Sequence, residues 1–174
     1  MPSGEIVPTY NERTFGEDEI IVSKTDEKGR ITYANDIFLK LALYEEDEVL
    51  GAPHNLVRHP DMPRAIFKLL WDAILNGEEI FAYVMNMARN GDHYWVFAHV
   101  TPSFDANGNI SGFHSNRRLP EPGPLASIKA LYKQLLAVEK GHSNGKVGMN
   151  ASLQFLTDLL EEKGQTYEEF VFSL

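Results

Sequence analysis

The chain has no cysteine. That excludes disulfides, thiolate metal sites and cysteine nucleophiles, and it fits a reducing compartment. Positive charge is scarce: 16 Lys and Arg stand against 25 Asp and Glu in 174 residues, a formal net charge of −9. A polyanion needs a basic surface, so the chain is a poor candidate for binding nucleic acid or anionic lipid. The longest basic run is the pair Arg117-Arg118. No apolar run approaches the roughly 18–20 residues a membrane helix needs. Met1 to Tyr10 lacks the basic-then-apolar pattern of a secretory leader. A cytoplasmic protein with no membrane span is expected. Internal repeats and low-complexity tracts are absent as well.

What is present fits one domain with appendages. Hydrophobic residues make up 43% and charged residues 24%, enough to bury a core without staples. The clearest boundary is Pro120-Glu121-Pro122-Gly123-Pro124, where neither strand nor helix is expected to continue. It divides the chain into an N-terminal extension (1–14), a body (15–119), a Pro/Gly hinge (120–124) and a tail (125–174).

In the body, Ile20 to Thr25 and Arg30 to Ala34 read as a hairpin about the Asp26-Glu27-Lys28-Gly29 turn. Asn35 or Asp36 caps a helix over Ile37 to Tyr44, and Glu45 to Val49 adds a helical turn. After Pro63, the spacing of Ile66, Phe67, Leu69, Leu70, Ala73 and Ile74 predicts a helix ending at Asn76-Gly77. Three strands follow, over 81–89, 93–103 and 110–119, the first two joined by Asn90-Gly91. The order strand, strand, helices, three strands gives an α+β fold: a five-stranded antiparallel sheet with helices on one face. The tail carries apolar stripes through Leu125, Leu131 and Leu135, then Leu153, Leu156 and Leu160. A capping box at Thr166 opens a last short helix. A C-terminal helical extension is expected.

Side chains alternate across strands. One face of the central hairpin carries Ala82, Val84, Asn86 and Ala88 with Tyr94, Val96, Ala98 and Val100. The other carries Phe81, Tyr83, Met85 and Met87 with His93, Trp95, Phe97 and His99. The small face either leaves volume for a ligand oriented by Asn86 or packs on helices. The aromatic face is too apolar to stay wet and should be covered by the tail or by a second copy.

The segment from His54 to Pro63, His-Asn-Leu-Val-Arg-His-Pro-Asp-Met-Pro, concentrates the chemistry. His54, His59 and Asp61 as metal ligands match no known spacing. A histidine base oriented by Asp61 lacks a nucleophile and an oxyanion motif. The reading with most support is a structured polar loop, held by prolines, that lines a pocket or stabilises itself. Arg58 there could pair with Asp61 or face an anionic ligand.

The order of strands, the Ile31-Thr32-Tyr33-Ala34-Asn35-Asp36 segment, the His54–Pro63 run and Asn90-Gly91-Asp92-His93-Tyr94-Trp95-Val96 together resemble a PAS domain. Within that family the sequence is most similar to the sensory PAS domains of bacterial aerotaxis receptors, over roughly residues 15 to 119. The resemblance implies the PAS fold and non-covalent FAD, used to sense redox or oxygen state. It implies flavin-site residues at Asn35, Arg58, His59, Asp61, Phe67 and Asn86. Asn35 and Asn86 would match the polar edge of the ring, and Phe67 would pack on it. Arg58 would meet negative charge, with His59 and Asp61 holding Arg58 or the loop. The absence of cysteine rules out a thiol–flavin bond. Two positions depart from the family pattern: Glu79-Ile80-Phe81-Ala82 stands where the receptors begin the third strand with tryptophan, and Met87-Ala88-Arg89 replaces a basic stretch.

The alternatives are haem b, another small ligand, or a cofactor-free protein-interaction module. No complete catalytic constellation is legible, so no enzyme is expected. The output partner would be a signalling protein or a second copy, through the aromatic face or the helical tail.

Overall fold

The computed structural model describes residues 5–174; residues 1–4 of the N-terminal extension lie outside the described residues. Five strands, β1 (Ile21–Asp26), β2 (Ile31–Ala34), β3 (Ile80–Met87), β4 (His93–Phe104) and β5 (Ile110–Arg118), form one antiparallel sheet in the order β2-β1-β5-β4-β3. Between β2 and β3 lie α1 (Asp36–Ala42), α2 (Glu46–Val49), a 3-10 turn (His54–Val57) and α3 (Arg64–Leu75). The tail forms α4 (Pro122–Lys140), α5 (Gly145–Lys163) and α6 (Tyr167–Phe172). The expected α+β class and the helical extension are both present.

Local chemistry sets the turns. Asp26 Oδ1 accepts from the amides of Lys28 and Arg30, both at 2.9 Å. Gly29 takes φ +78°, and an added Cβ there would lie 3.0 Å from the Trp71 ring. Glycine therefore serves both the turn and its packing on α3. Asn35 caps α1 by accepting from Phe38 N–H at 3.1 Å.

The two sheet faces separate as their side-chain sizes require. Ala82, Val84, Asn86, Tyr94, Val96 and Ala98 are buried on the small face, toward α1 and α3. The aromatic face is covered by the chain's own tail. Tyr132 on α4 donates its hydroxyl to the Tyr83 carbonyl at 2.6 Å and lies 6.0 Å from Trp95, ring to ring. On α6, Phe172 meets Phe81 and Phe97 edge-on.

One expectation needs correction. The hinge is shorter than 120–124, because α4 starts at Pro122. Prolines in a first helical turn remove amides that have no intrahelical acceptor, so Pro122 and Pro124 open the helix rather than interrupt it. The N-terminal extension is fastened to the body. Arg13 N–H donates to the His93 carbonyl and His93 N–H to the Asn11 carbonyl. Thr9 hydroxyl donates to Asp92 at 2.6 Å, which ties the segment along the β3–β4 hairpin.

Candidate functional site

A cavity of about 470 Å³ lies between the small sheet face and α3, within the range of small-molecule sites. Val84, Ala98, Val100 and Phe113 supply an apolar floor, and Leu70 and Trp71 supply the opposite wall. Five basic residues also line it, Lys28, Arg58, Arg64, Lys68 and Arg117; among the described lining residues none is acidic. In a chain of net charge −9 this is a local reversal of sign, and it suits a ligand that is flat and apolar at one end and anionic elsewhere.

The residues expected at a binding site divide into two groups. Arg58, Phe67 and Asn86 stand on the cavity wall. The Arg58 guanidinium sits 4.6 Å over the Phe67 ring, and burial holds its pKa below the usual value. Asn86 is 4% exposed; its amide nitrogen is buried and has no partner. An unpartnered buried donor costs free energy, and here it belongs to a residue of the wall. Asn35, His59 and Asp61 lie off the wall. Asn35 Oδ1 accepts from Val22 and Phe38 amides and its Nδ2 donates to the Ile20 carbonyl, which fixes α1 to β1. His59 Nδ1 accepts from the Asp61 amide at 3.0 Å, so its proton sits on Nε2 and the ring holds the loop.

Sequence reasoning missed the most strongly buried charge at the site. Arg117 on β5 is 2% exposed. Its guanidinium donates to Ser23 Oγ on β1 and lies 5.2 Å from the Phe38 ring. Its Nε has no partner, and burial lowers its pKa to about 10. Ser23 Oγ contacts His54 Nε2 at 2.9 Å. Ser23 accepts from arginine and keeps its own proton and a second lone pair, so it can serve either tautomer of the His54 ring. Burial and the nearby Arg117 push the His54 pKa down to about 3, which keeps the ring neutral. The partial exposure of His54 is compatible with that shift because the residue faces the cavity. The available signal was alternation on β5: Phe113, Ser115 and Arg117 share a face, and all three line the cavity. His114 lies on the opposite face, against Asn116 at 3.0 Å.

Chemically, the wall offers an amide for a polar ring edge, a buried cation with no carboxylate partner, and apolar surfaces above and below. That donor set fits a flavin: a flat heteroaromatic ring that accumulates negative charge on reduction. It fits haem less well. His54 is the histidine on the wall, and its Nε2 is engaged by Ser23.

Residues 31–116 match the family model of the PAS fold. The chain is 40% identical over 129 residues to the aerotaxis receptor of Escherichia coli (strain K12), covering 74% of this chain and 25% of the receptor. It is 31% identical over 87 residues to a blue-light-activated histidine kinase of Brucella canis, covering 50% of this chain and 18% of the kinase. The chain thus spans a quarter or less of the length of these relatives. Among solved structures, the dark structure of the blue-light photoreceptor Aureochrome1 LOV superposes with a TM-score of 0.54 at 26% identity, covering 70% of this chain and 84% of that one. With the β2-β1-β5-β4-β3 sheet, the α1–α3 layer over its small face and the cavity between them, these matches place the chain in the PAS family.

Proposed function

We propose that the chain is a PAS sensor that binds FAD non-covalently in the cavity and reports redox or oxygen state to a signalling partner, without enzymatic activity of its own. The observation that carries this reading is the pair of unsatisfied polar atoms on one wall, the Asn86 amide nitrogen and Arg117 Nε. Both lack partners that a flavin would supply. The similarity to an aerotaxis receptor and to a blue-light receptor LOV structure supports a flavin in a fold of this kind.

When bound, the flavin supplies reversible electron and proton uptake. The protein's residues do the rest. Asn86 orients the polar edge of the ring. Arg117 favours the more negative ring, because an uncompensated cation in a low-dielectric wall attracts added charge. Lys28 and Arg64 at the wall supply charge for the phosphates. Ser23 and His54 relay any change at Arg117 to β1 and the 3-10 turn. The absence of cysteine leaves reduction, rather than a thiol adduct, as the event that changes charge. The visible absorbance spectrum of the purified protein tests the reading. Flavin bands released intact by denaturation and identified as FAD support it. A Soret band, or a blank spectrum that persists after incubation with FAD, overturns it.

A further inference from the structure

The corner between α4 and α5 belongs to the tail, yet it reaches the cavity. α3 starts after Pro63, whose side chain supplies no cap. Its first amides are satisfied from far along the chain: Arg64 and Ala65 N–H donate to the Glu139 carboxylate at 3.1 and 3.0 Å. The partial positive charge of a helix start favours that carboxylate. The next residue, Lys140, pairs with Asp61 at 3.5 Å. α5 then returns at very close range. A Cβ added at Gly148 would lie 2.6 Å from the Glu139 carbonyl oxygen, and one at Gly145 would collide with the Arg64 guanidinium. This approach brings Met149 onto the cavity wall, where among the described residues it is the only one from the tail.

We propose that Met149 is a ligand-contact residue and Glu139 the positioning residue that holds it in place, so that the tail corner is a movable part of the pocket wall. The inference rests on the flavin reading of the cavity. α3 presents Phe67 and Trp71 to the cavity, and its start is fixed by Glu139. A ligand filling the cavity therefore packs against surfaces that the docked corner builds and fixes. It meets fewer of them when the corner is undocked. A ligand with different contacts in two states shifts their balance. By linkage, the factor by which docking tightens the ligand equals the factor by which the ligand tightens docking. Binding in the pocket is thereby reported to the tail without passing through the sheet.

The test uses the full chain with FAD as the probe. FAD affinity and amide exchange over residues 139–149 are measured for the unmodified protein, Met149→Ala, Glu139→Gln and Gln154→Ala, the last an exposed α5 control. Saturating FAD should slow exchange of the corner by about 5-fold or more in the unmodified protein, within the usual range of coupling between sites. Met149→Ala should weaken FAD by a similar factor and blunt that slowing, with corner exchange in the absence of FAD unchanged. Glu139→Gln should weaken FAD and speed exchange of the Arg64 and Ala65 amides; a merely structural role would move the exchange and leave the affinity alone. If Glu139→Gln loses the tail altogether, Met149→Ala decides. Equal FAD affinity in all four proteins overturns this inference and leaves the flavin reading intact. Failure of the unmodified protein to bind FAD overturns both, and the flavin reading first.

Discussion

Arg58 and Asn86 are joined backbone to backbone by an antiparallel bridge. The polar loop after the 3-10 turn is thereby sewn to β3, an edge strand of the sheet. Two side chains separated by 28 positions reach the same cavity wall because of that bridge. It also covers an edge that would otherwise expose unpaired amides and carbonyls. The loop and the strand are thus one structural unit, and a change at either is felt at both.

Asn86 is held at a cost to stability, since its amide nitrogen is buried without a protein partner. Asn86→Leu, with the same number of side-chain heavy atoms and room to expand toward the cavity, should therefore raise stability toward urea by about 1 kcal/mol. The same substitution should weaken flavin binding by about 10-fold or more, because the orienting donor is gone. Urea midpoints and fluorescence titration check the two halves. A variant that is both less stable and fully competent in binding would contradict the assignment.

Arg117 carries the same logic with charge. It is buried, bonded to Ser23, and free of any carboxylate among the described residues. Arg117→Met should leave stability unchanged or raise it by about 1–3 kcal/mol, since an uncompensated buried cation is replaced by an apolar chain. In the flavin-loaded protein it should lower the two-electron midpoint potential by about 30–60 mV, because a cation favours the more negative reduced ring. Spectroelectrochemical titration reads the shift. An unchanged potential would remove Arg117 from the redox site.

His54 makes the fold sensitive to acid. Its pKa is about 3 in the fold, against an ordinary value of 6.5. Between those values the unfolded chain takes up a proton and the folded chain does not. Stability is therefore full above about pH 6.5 and falls as pH drops toward 3. At pH 4.5 the loss from this residue is on the order of 2–3 kcal/mol, at about 1.36 kcal/mol per unit. His59, also lowered by burial, adds in the same direction. His54→Gln keeps an acceptor for Ser23 and should flatten the profile between pH 7 and 4.5 by that amount. Identical urea midpoints across this range in both proteins would show that His54 is not the titrating group.

The fold was legible because local signals agreed. The Asp26–Gly29 and Asn90-Gly91 turns fixed two hairpins, and alternation fixed their faces. Asn86 could be placed on the small face by alternation, but side-chain size left a pocket and helix packing equally open there. Arg117 could not be placed, because a basic pair beside a proline-rich boundary reads as solvent-facing until β5 is known to pair with β1 at the centre of the sheet. Asn35, His59 and Asp61 stand next to the pocket in sequence motifs, but sequence proximity does not separate a cap or a loop brace from a wall. Met149 was illegible for a different reason: it arrives by a helix–helix approach that depends on two glycines, Gly145 and Gly148, and no periodicity announces such contacts.

The tail's hold on the aromatic face gives a last prediction. Tyr132 hydroxyl donates to the Tyr83 carbonyl on the edge strand, and burial raises its pKa well above the ordinary phenol value. The phenol stays neutral and a donor at any physiological pH. Tyr132→Phe removes that donor and leaves a buried carbonyl unpaired, which costs about 1–2 kcal/mol. Ile128, Leu131 and Leu135 remain buried under α4, so the helix should stay docked but open more often. Leu135→Ala, at a fully buried position, should cost about 2–5 kcal/mol and expose the face around Trp95 and Phe97. Tryptic cleavage after Lys133 and Lys140 under native conditions should therefore rise modestly in Tyr132→Phe and steeply in Leu135→Ala. If both variants resist cleavage as well as the unmodified chain does, the tail is held by contacts other than those on the aromatic face.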